Sequence, residues 1–339
     1  MPYLSRPPSH LTRLSVPNFR FLPLFFLTVA VAVQFTACAA PEKQTVDATE
    51  LTVVDGLGRS VSLATSPERV VSIAPGATHV VRAAGGLERL VAVTTADYQV
   101  EDLAHLPRIS ALPLDLEAIV GFNPDLILAS DQVNDPAHAE MFEALDIPII
   151  YLGSDSWSDV HDSILETGHV LGTRESAQSA ADSLEAMRLQ LISITEGQEV
   201  LPTGIFLVSH ITSYSFGQGS YVLDLMEWAG IEPLTRSFET PAPILDDEWV
   251  LLNNPDFILG TFGESGSKES LLANHRTWRS LDAIRSDRLV DVPASLILTP
   301  GPENIRAAWQ MAMAVHPALF DSSLTAQKLE SERNSQSIP

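Results

Sequence analysis

Asp115-Leu116-Glu117-Ala118-Ile119-Val120-Gly121-Phe122-Asn123-Pro124-Asp125-Leu126-Ile127-Leu128 recurs 131 residues later as Asp246-Asp247-Glu248-Trp249-Val250-Leu251-Leu252-Asn253-Asn254-Pro255-Asp256-Phe257-Ile258-Leu259. The aspartate, the glutamate, Asn-Pro-Asp and Ile-Leu coincide. Each copy reads as a helix capped by its aspartate, a turn at Asn-Pro-Asp, and a short apolar strand. A structural unit used twice at this separation predicts two similar halves. Glu117 and Glu248 both fall in the first turn of their helices. Stabilisation of a helix dipole would be worth about 0.3–1 kcal/mol each, but Asp or Ser nearby would serve that purpose equally. A matched pair of carboxylates, one per half, instead suits docking onto a two-fold symmetric partner that carries paired arginines.

Outward from the repeat, short β-branched runs alternate with helical stretches. Residues 51–63 alternate about Asp55-Gly56 and Gly58 and read as a β-hairpin. Gly56-x-Gly58 lacks the third glycine and the following helix of a dinucleotide fingerprint. Residues 69–74, 90–93, 126–129 and 149–152 read as buried strands, with a helix over 77–84 stopped by Gly85-Gly86. Strand candidates at 205–208, 257–259 and 289–292, with helices over 221–229 and 305–315, repeat the pattern. Alternating strands and helices predict a parallel sheet in each half, with ligands beyond the carboxyl ends of the strands. Between the halves, residues 173–196 carry Ala177, Ala180, Leu184, Met187, Leu191 and Ile194 at helical spacing, between Thr173 as N-cap and Gly197. At 1.5 Å per residue this is about 35 Å of helix, a strut rather than a hinge.

The first 20 residues carry Arg6, Arg13 and Arg20 and no acid, followed by an apolar run over 21–33. That run is shorter than the ~20 residues of a membrane-spanning helix and fits a secretory signal. It leads to Phe35-Thr36-Ala37-Cys38, which resembles the lipobox of bacterial lipoproteins. The expected organisation is a signal peptide over 1–37, lipidation at Cys38, a tether over 38–50, an α/β lobe over 51–172, a bridging helix over 173–197, a second α/β lobe over 198–320 and a polar tail over 321–339.

Composition narrows the function. There are 43 acidic against 20 basic residues, a net charge of −23, which repels phosphate backbones and disfavours a nucleic-acid partner. One cysteine excludes a multi-cysteine metal site. The nine histidines are scattered, with no ligand pair at short spacing, which disfavours a bare-metal binder. No nucleophile elbow, Walker loop or His-Glu-x-x-His helix occurs, so the chain does not read as an enzyme. A tethered receptor without a transport role is the remaining alternative class.

From about Thr52 to Phe320 the chain resembles the class III periplasmic substrate-binding proteins of ABC importers, the group serving vitamin B12, haem and ferric siderophores. The resemblance rests on Pro67-Glu68-Arg69-Val70-Val71-Ser72 with Ala74-Pro75 and Thr78, Gly85-Gly86-Leu87, Val91-Ala92-Val93, Leu116-Glu117, Pro124-Asp125-Leu126-Ile127, and the second copy at Glu248 and Pro255-Asp256. It implies two Rossmann-like lobes bridged by one long rigid α-helix and little hinge closure. It places the ligand in a shallow interlobe cleft and Glu117 and Glu248 on the arginines of an ABC permease dimer. No resident cofactor is implied; the bound group would be the cargo, a metal chelate, with a corrinoid preferred over a ferric siderophore or haem. Location would be the periplasm or cell surface, with the membrane reached only through the lipid on Cys38.

The resemblance puts Tyr98 among the cleft aromatics, while Ala111 and Ala242 replace two tryptophans. Trp157, Tyr214 and Phe216 are the aromatics expected to compensate, because a large flat ligand wants rings that each bury about 150–250 Å². Tyr98 and His210 are also candidate iron ligands. Arg236 is a candidate for a ligand carboxylate or phosphate. Backbone donors at the helix start after Pro75, at Gly76, Ala77 and Thr78, are a candidate anion cradle. The loop over 300–304 is expected on the cleft rim.

Overall fold

The computed structural model describes residues 51–97, 101–263 and 268–320. The signal peptide, Cys38, the tether, Tyr98 and the polar tail lie outside the described residues.

The chain opens with an antiparallel hairpin, β1 (Leu51–Val54) and β2 (Ser60–Leu63). Its turn is built by Asp55, whose carboxylate accepts from Leu57 N–H, Arg59 N–H and the Arg59 guanidinium. Gly58 supplies the positive φ of 75°. Gly56 lets the turn approach the backbone of Gly153, where an added Cβ would lie 2.7 Å from the amide nitrogen. Both glycines thus have geometric reasons unrelated to a nucleotide.

The first lobe follows as β3 (Val70–Ser72), α1 (Pro75–Ala83), β4 (Leu90–Thr94), β5 (Arg108–Ile109), α2 (Leu116–Gly121), β6 (Leu126–Ser130), α3 (His138–Glu143), β7 (Ile149–Leu152) and α4 (Trp157–Leu171). Its five strands are parallel in the order β5-β4-β3-β6-β7. This is the 3-2-1-4-5 order of a doubly wound sheet, with its switch point between β3 and β6. Pro75, expected to end the strand, also starts α1, where its missing N–H costs nothing.

After α5 (Arg174–Thr195) the second lobe runs β8 (Thr203–Leu207), α6 (Tyr221–Trp228), β9 (Glu232–Pro233), α7 (Asp247–Asn253), β10 (Phe257–Gly260), α8 (Lys268–Asn274), α9 (Asp282–Arg285), β11 (Leu289–Asp291), α10 (Ala294–Ile297) and α11 (Asn304–Val315). The order β11-β10-β8-β9 is again parallel, with the switch point between β8 and β10. The two lobes thus share one topology, with β5 as the extra edge strand of the first.

The two copies of the repeat make the same kinds of hydrogen bonds. Asp115 accepts from Ala118 N–H at 3.0 Å and Asp246 from Trp249 N–H at 2.7 Å. Asn123 and Asn254 both take left-handed backbone, at φ 47° and 41°. The next aspartate reaches across to the entry of the neighbouring strand in both lobes. Asp125 accepts from Glu68 and Arg69 N–H at 2.8 Å, and Asp256 from Thr203 N–H and Oγ1 at 2.9 Å.

Each sheet is covered on both faces by its own core. In the first lobe one face carries Val70, Val81, Leu126 and Ile164, and the other Ile73, Ile119, Phe142 and Tyr151. α5 spans both lobes. Ala177 is buried in the first-lobe core, Leu191 in that of the second, and Leu184 packs against both. Both sheets belong to a single compact unit, as a strut requires. One detail differs from the sequence reading. The Thr173 hydroxyl makes no capping bond and is buried without a partner among the described residues.

α4 and α5 cross where Gly168 meets Ala177, and a Cβ on Gly168 would lie 2.2 Å from the alanine Cβ. Alanine is the better helix former by about 1 kcal/mol, yet relieving this overlap costs about 1–3 kcal/mol. Gly168→Ala is therefore expected to destabilise the fold by up to about 2 kcal/mol in urea unfolding. A more stable variant would show that the helices do not cross at this residue.

Candidate functional site

The carboxyl edges of the two sheets carry the loops that face the cleft, and buried asparagines organise them. In the first lobe Asn134 accepts from Ser130 N–H at 2.9 Å and donates to Ile73 C=O at 3.0 Å, tying β6 to β3 at the switch point. In the second, Asn304 accepts from Gly301 N–H and donates to Leu296 and Thr299 C=O, folding the 296–301 loop. That loop touches the first lobe. A Cβ on Gly76 would lie 2.6 Å from the Pro300 carbonyl oxygen, and one on Gly301 would lie 3.6 Å from His79 Cβ. Sequence reasoning missed Asn134 and took Asn304 only as part of a rim loop, since the linear signal of either is a polar residue inside a turn-rich segment.

The first turn of α1 is therefore not an open anion cradle. Gly76 lies half-buried against Pro300. Thr78, expected as a ligand donor, is fully buried, and its hydroxyl donates to Ser72 Oγ at 2.7 Å. Beside the switch point, Asp131 accepts from Ser154 Oγ at 2.8 Å. Burial raises its pKa, opposed by the Ser154 hydrogen bond and reinforced by Asp155 and Asp159. The first lobe's edge is thus acidic.

The second lobe places its candidates unevenly. Tyr214 is 44% exposed and pairs through its backbone with Ile244, itself 64% exposed. With Ile211 and Leu298 they give this rim an open apolar character that the sequence reading did not anticipate. Phe216 is half-buried, packed edge-on against Phe206 at 5.7 Å. His210 is half-buried, and its carbonyl accepts from Asn274. Among the described residues no three His, Cys, Asp or Glu side chains converge as metal ligands.

Two expected ligand contacts are committed elsewhere. Trp157 is only 8% exposed; it leaves the first lobe and enters the second lobe's core, edge-on to Trp228 at 5.3 Å. A tryptophan at the start of a helix after a strand looked like a cleft wall, but burial of its ring in the seam is the larger gain. Arg236 is ion-paired with Glu227 at the end of α6, so its charge is already matched.

The seam holds a cavity of about 710 Å³ between α1, α5 and α11, lined in part by His79, Arg82, Leu184, Met187 and Glu303. Arg82 bridges the lobes, 3.0 Å from Asp102 and 3.9 Å from Glu303. Burial, with Arg82 close by, lowers the His79 pKa. A hollow of about 580 Å³ between β2 and residues 146–149 lies at the amino edge of the first sheet and faces none of the cleft loops.

Glu117 and Glu248 are both exposed, in the first turns of α2 and α7. Each helix runs back toward the amino end of its following strand, so both glutamates lie toward the carboxyl edge of their sheets. Around Glu248 the support is heavier. Asp247 accepts from Thr277 Oγ1 at 2.6 Å and lies 3.2 Å from His275 Nδ1. Burial alone would raise the Asp247 pKa, but the hydrogen bonds from Thr277 and His275 outweigh it and hold it low.

An "uncharacterized ABC transporter substrate-binding lipoprotein", YvrC of Bacillus subtilis, is 23% identical over 306 residues, covering 85% of this chain and 95% of that protein. A vitamin B12-binding protein of Pectobacterium carotovorum is 27% identical over 247 residues, covering 72% and 87%. The crystal structure of the periplasmic vitamin B12-binding protein BtuF of Vibrio cholerae superposes with a TM-score of 0.65 at 23% identity, covering 76% of this chain and 99% of that one, and shows the same fold. The periplasmic binding protein family profile matches residues 70–296, from the first strand of one lobe to α10 of the other. With two doubly wound lobes on one strut and that match across both, the chain belongs to the periplasmic binding protein family, whose members bind their substrates rather than transform them.

Proposed function

We propose that this chain is the substrate-binding lipoprotein of an ABC importer, anchored through Cys38 at the periplasmic or cell-surface side. It captures a bulky metal chelate between its lobes and docks on a permease dimer through Glu117 and Glu248. The observation that carries this reading is the pair of exposed glutamates at equivalent positions of a repeated unit, on lobes held apart by α5. A partner built from two like subunits needs such a duplicated feature at fixed spacing.

A corrinoid is the favoured cargo. Relatives that carry the vitamin B12-binding name support it. So does the chemistry of the rim, which is apolar at Tyr214, Ile211 and Ile244 and acidic at Asp131 and its neighbours. A neutral cobalamin meets that combination at less electrostatic cost than an anionic porphyrin or ferric catecholate. Titrating the mature protein with cyanocobalamin, haemin and a ferric hydroxamate while following tryptophan emission tests the assignment. Trp157 and Trp228 lie in the seam, within energy-transfer range of a coloured ligand. Cyanocobalamin is expected to quench with a Kd below about 10 µM, near −7 kcal/mol. Quenching by haemin or the hydroxamate alone would reassign the cargo, and no response to any of the three would remove the chelate class.

A further inference from the structure

Because α2 and α7 align residue by residue, their differences separate what the fold needs from what each lobe presents. Four pairs differ most: Leu116 against Asp247, Ala118 against Trp249, Gly121 against Leu252, and Phe122 against Asn253 at the helix end. The first two brace α7 from beneath. Asp247 is held by Thr277 and His275, and Trp249 packs edge-on against Phe238 at 5.0 Å. The third faces outward. Leu252 lies four residues, about one turn, beyond Glu248 on the same helix face, and is 83% exposed, more than any other large apolar side chain described. At the matching place in the first lobe Gly121 leaves open space, with nothing within 4 Å of an added Cβ.

We propose that Glu248 and Leu252 form one two-part docking epitope, the stronger of the two contact points with the permease. Leu252 is covered by an apolar patch that lies beside the cationic group receiving Glu248. The inference rests on the docking reading above and deepens it. The occupant is argued from charge and duplication. An exposed carboxylate with no ion pair among the described residues calls for a cation, and two copies of the helix call for two like subunits. A leucine packed beside a charged contact shields it from water and strengthens it. Since both lobes would meet the same patch, the first lobe's contact is the weaker for want of a side chain at Gly121.

Binding of the mature protein to its permease in lipid nanodiscs, read by interferometry at 0.15 M and 1 M NaCl, tests this. Leu252→Ser is expected to weaken binding about tenfold at both salt concentrations, with chelate affinity and unfolding midpoint unchanged. The loss from Glu248→Gln should shrink at 1 M, where exposed charge pairs are screened. Gly121→Leu should tighten binding several-fold. Wild-type affinity in Leu252→Ser, or no gain in Gly121→Leu, overturns the shared apolar patch. If reversing both glutamates to arginine leaves binding intact, the docking reading itself fails; if reversal abolishes binding while Leu252→Ser binds normally, only the present inference fails.

Discussion

Mature protein carrying Glu117→Arg together with Glu248→Arg will retain its chelate affinity within about twofold and lose transport. Both side chains are exposed, and neither supports the cores that set the cleft. Placing a cation in the first turn of α2 and of α7 opposes each helix dipole, at about 0.3–1 kcal/mol apiece. The fold tolerates that, because each helix keeps its aspartate cap. At the partner the change is far larger. If the proposed docking holds, each reversal removes an attractive pair and sets like charges together, and even truncating one member of a desolvated pair costs about 2–5 kcal/mol. Docking should therefore weaken by more than about a hundredfold. Uptake of labelled cobalamin into proteoliposomes, beside a binding titration of the same preparation, separates the two effects. Uptake at the wild-type rate would remove the glutamates from the transport cycle.

Trp157→Ala is the substitution expected to damage the fold most. The ring crosses from α4 into the second lobe's core, where it packs edge-on to Trp228 in the cluster that holds Leu191 and Tyr221. Truncating a buried tryptophan costs about 3–5 kcal/mol, because the surroundings collapse only partly into the space left. For a chain of this size that corresponds to a fall of roughly 5–9 °C in the thermal midpoint. The position carries a second consequence. Trp157 and α5 together couple the lobes, so its loss should also broaden the melt as the lobes begin to unfold separately. A midpoint within 2 °C of wild type, with an equally sharp transition, would mean that the seam does not depend on this ring.

The candidate site was legible where chemistry is tied to local sequence, and illegible where it depends on what a side chain meets across space. Glu117 and Glu248 could be placed in the first turns of exposed helices because the repeat fixes their position, and helix position follows from neighbours within one turn. Thr78 looked like a ligand donor because it follows the start of a helix, yet its hydroxyl turns inward to Ser72. Arg236 looked free in a loop of small polar residues, but Glu227, nine residues earlier, faces it once α6 has formed. The reverse error hid Asn134 and the brace that Asn304 makes inside the rim loop. A buried asparagine that binds two backbone strands looks, in one dimension, like any turn residue.

The sequence alone determined the elements and their doubling: parallel strands, capped helices, a strut of helical period and two matched acids. Those features rest on interactions within a few residues, and a 131-residue repeat states them twice. Tertiary structure alone decided that Trp157 belongs to the seam rather than the cleft, that Pro300 closes over Gly76, and that Leu252 stands open while Gly121 leaves a gap. Burial is a property of surfaces brought together from distant parts of the chain, and no local pattern of residues encodes which surfaces those will be.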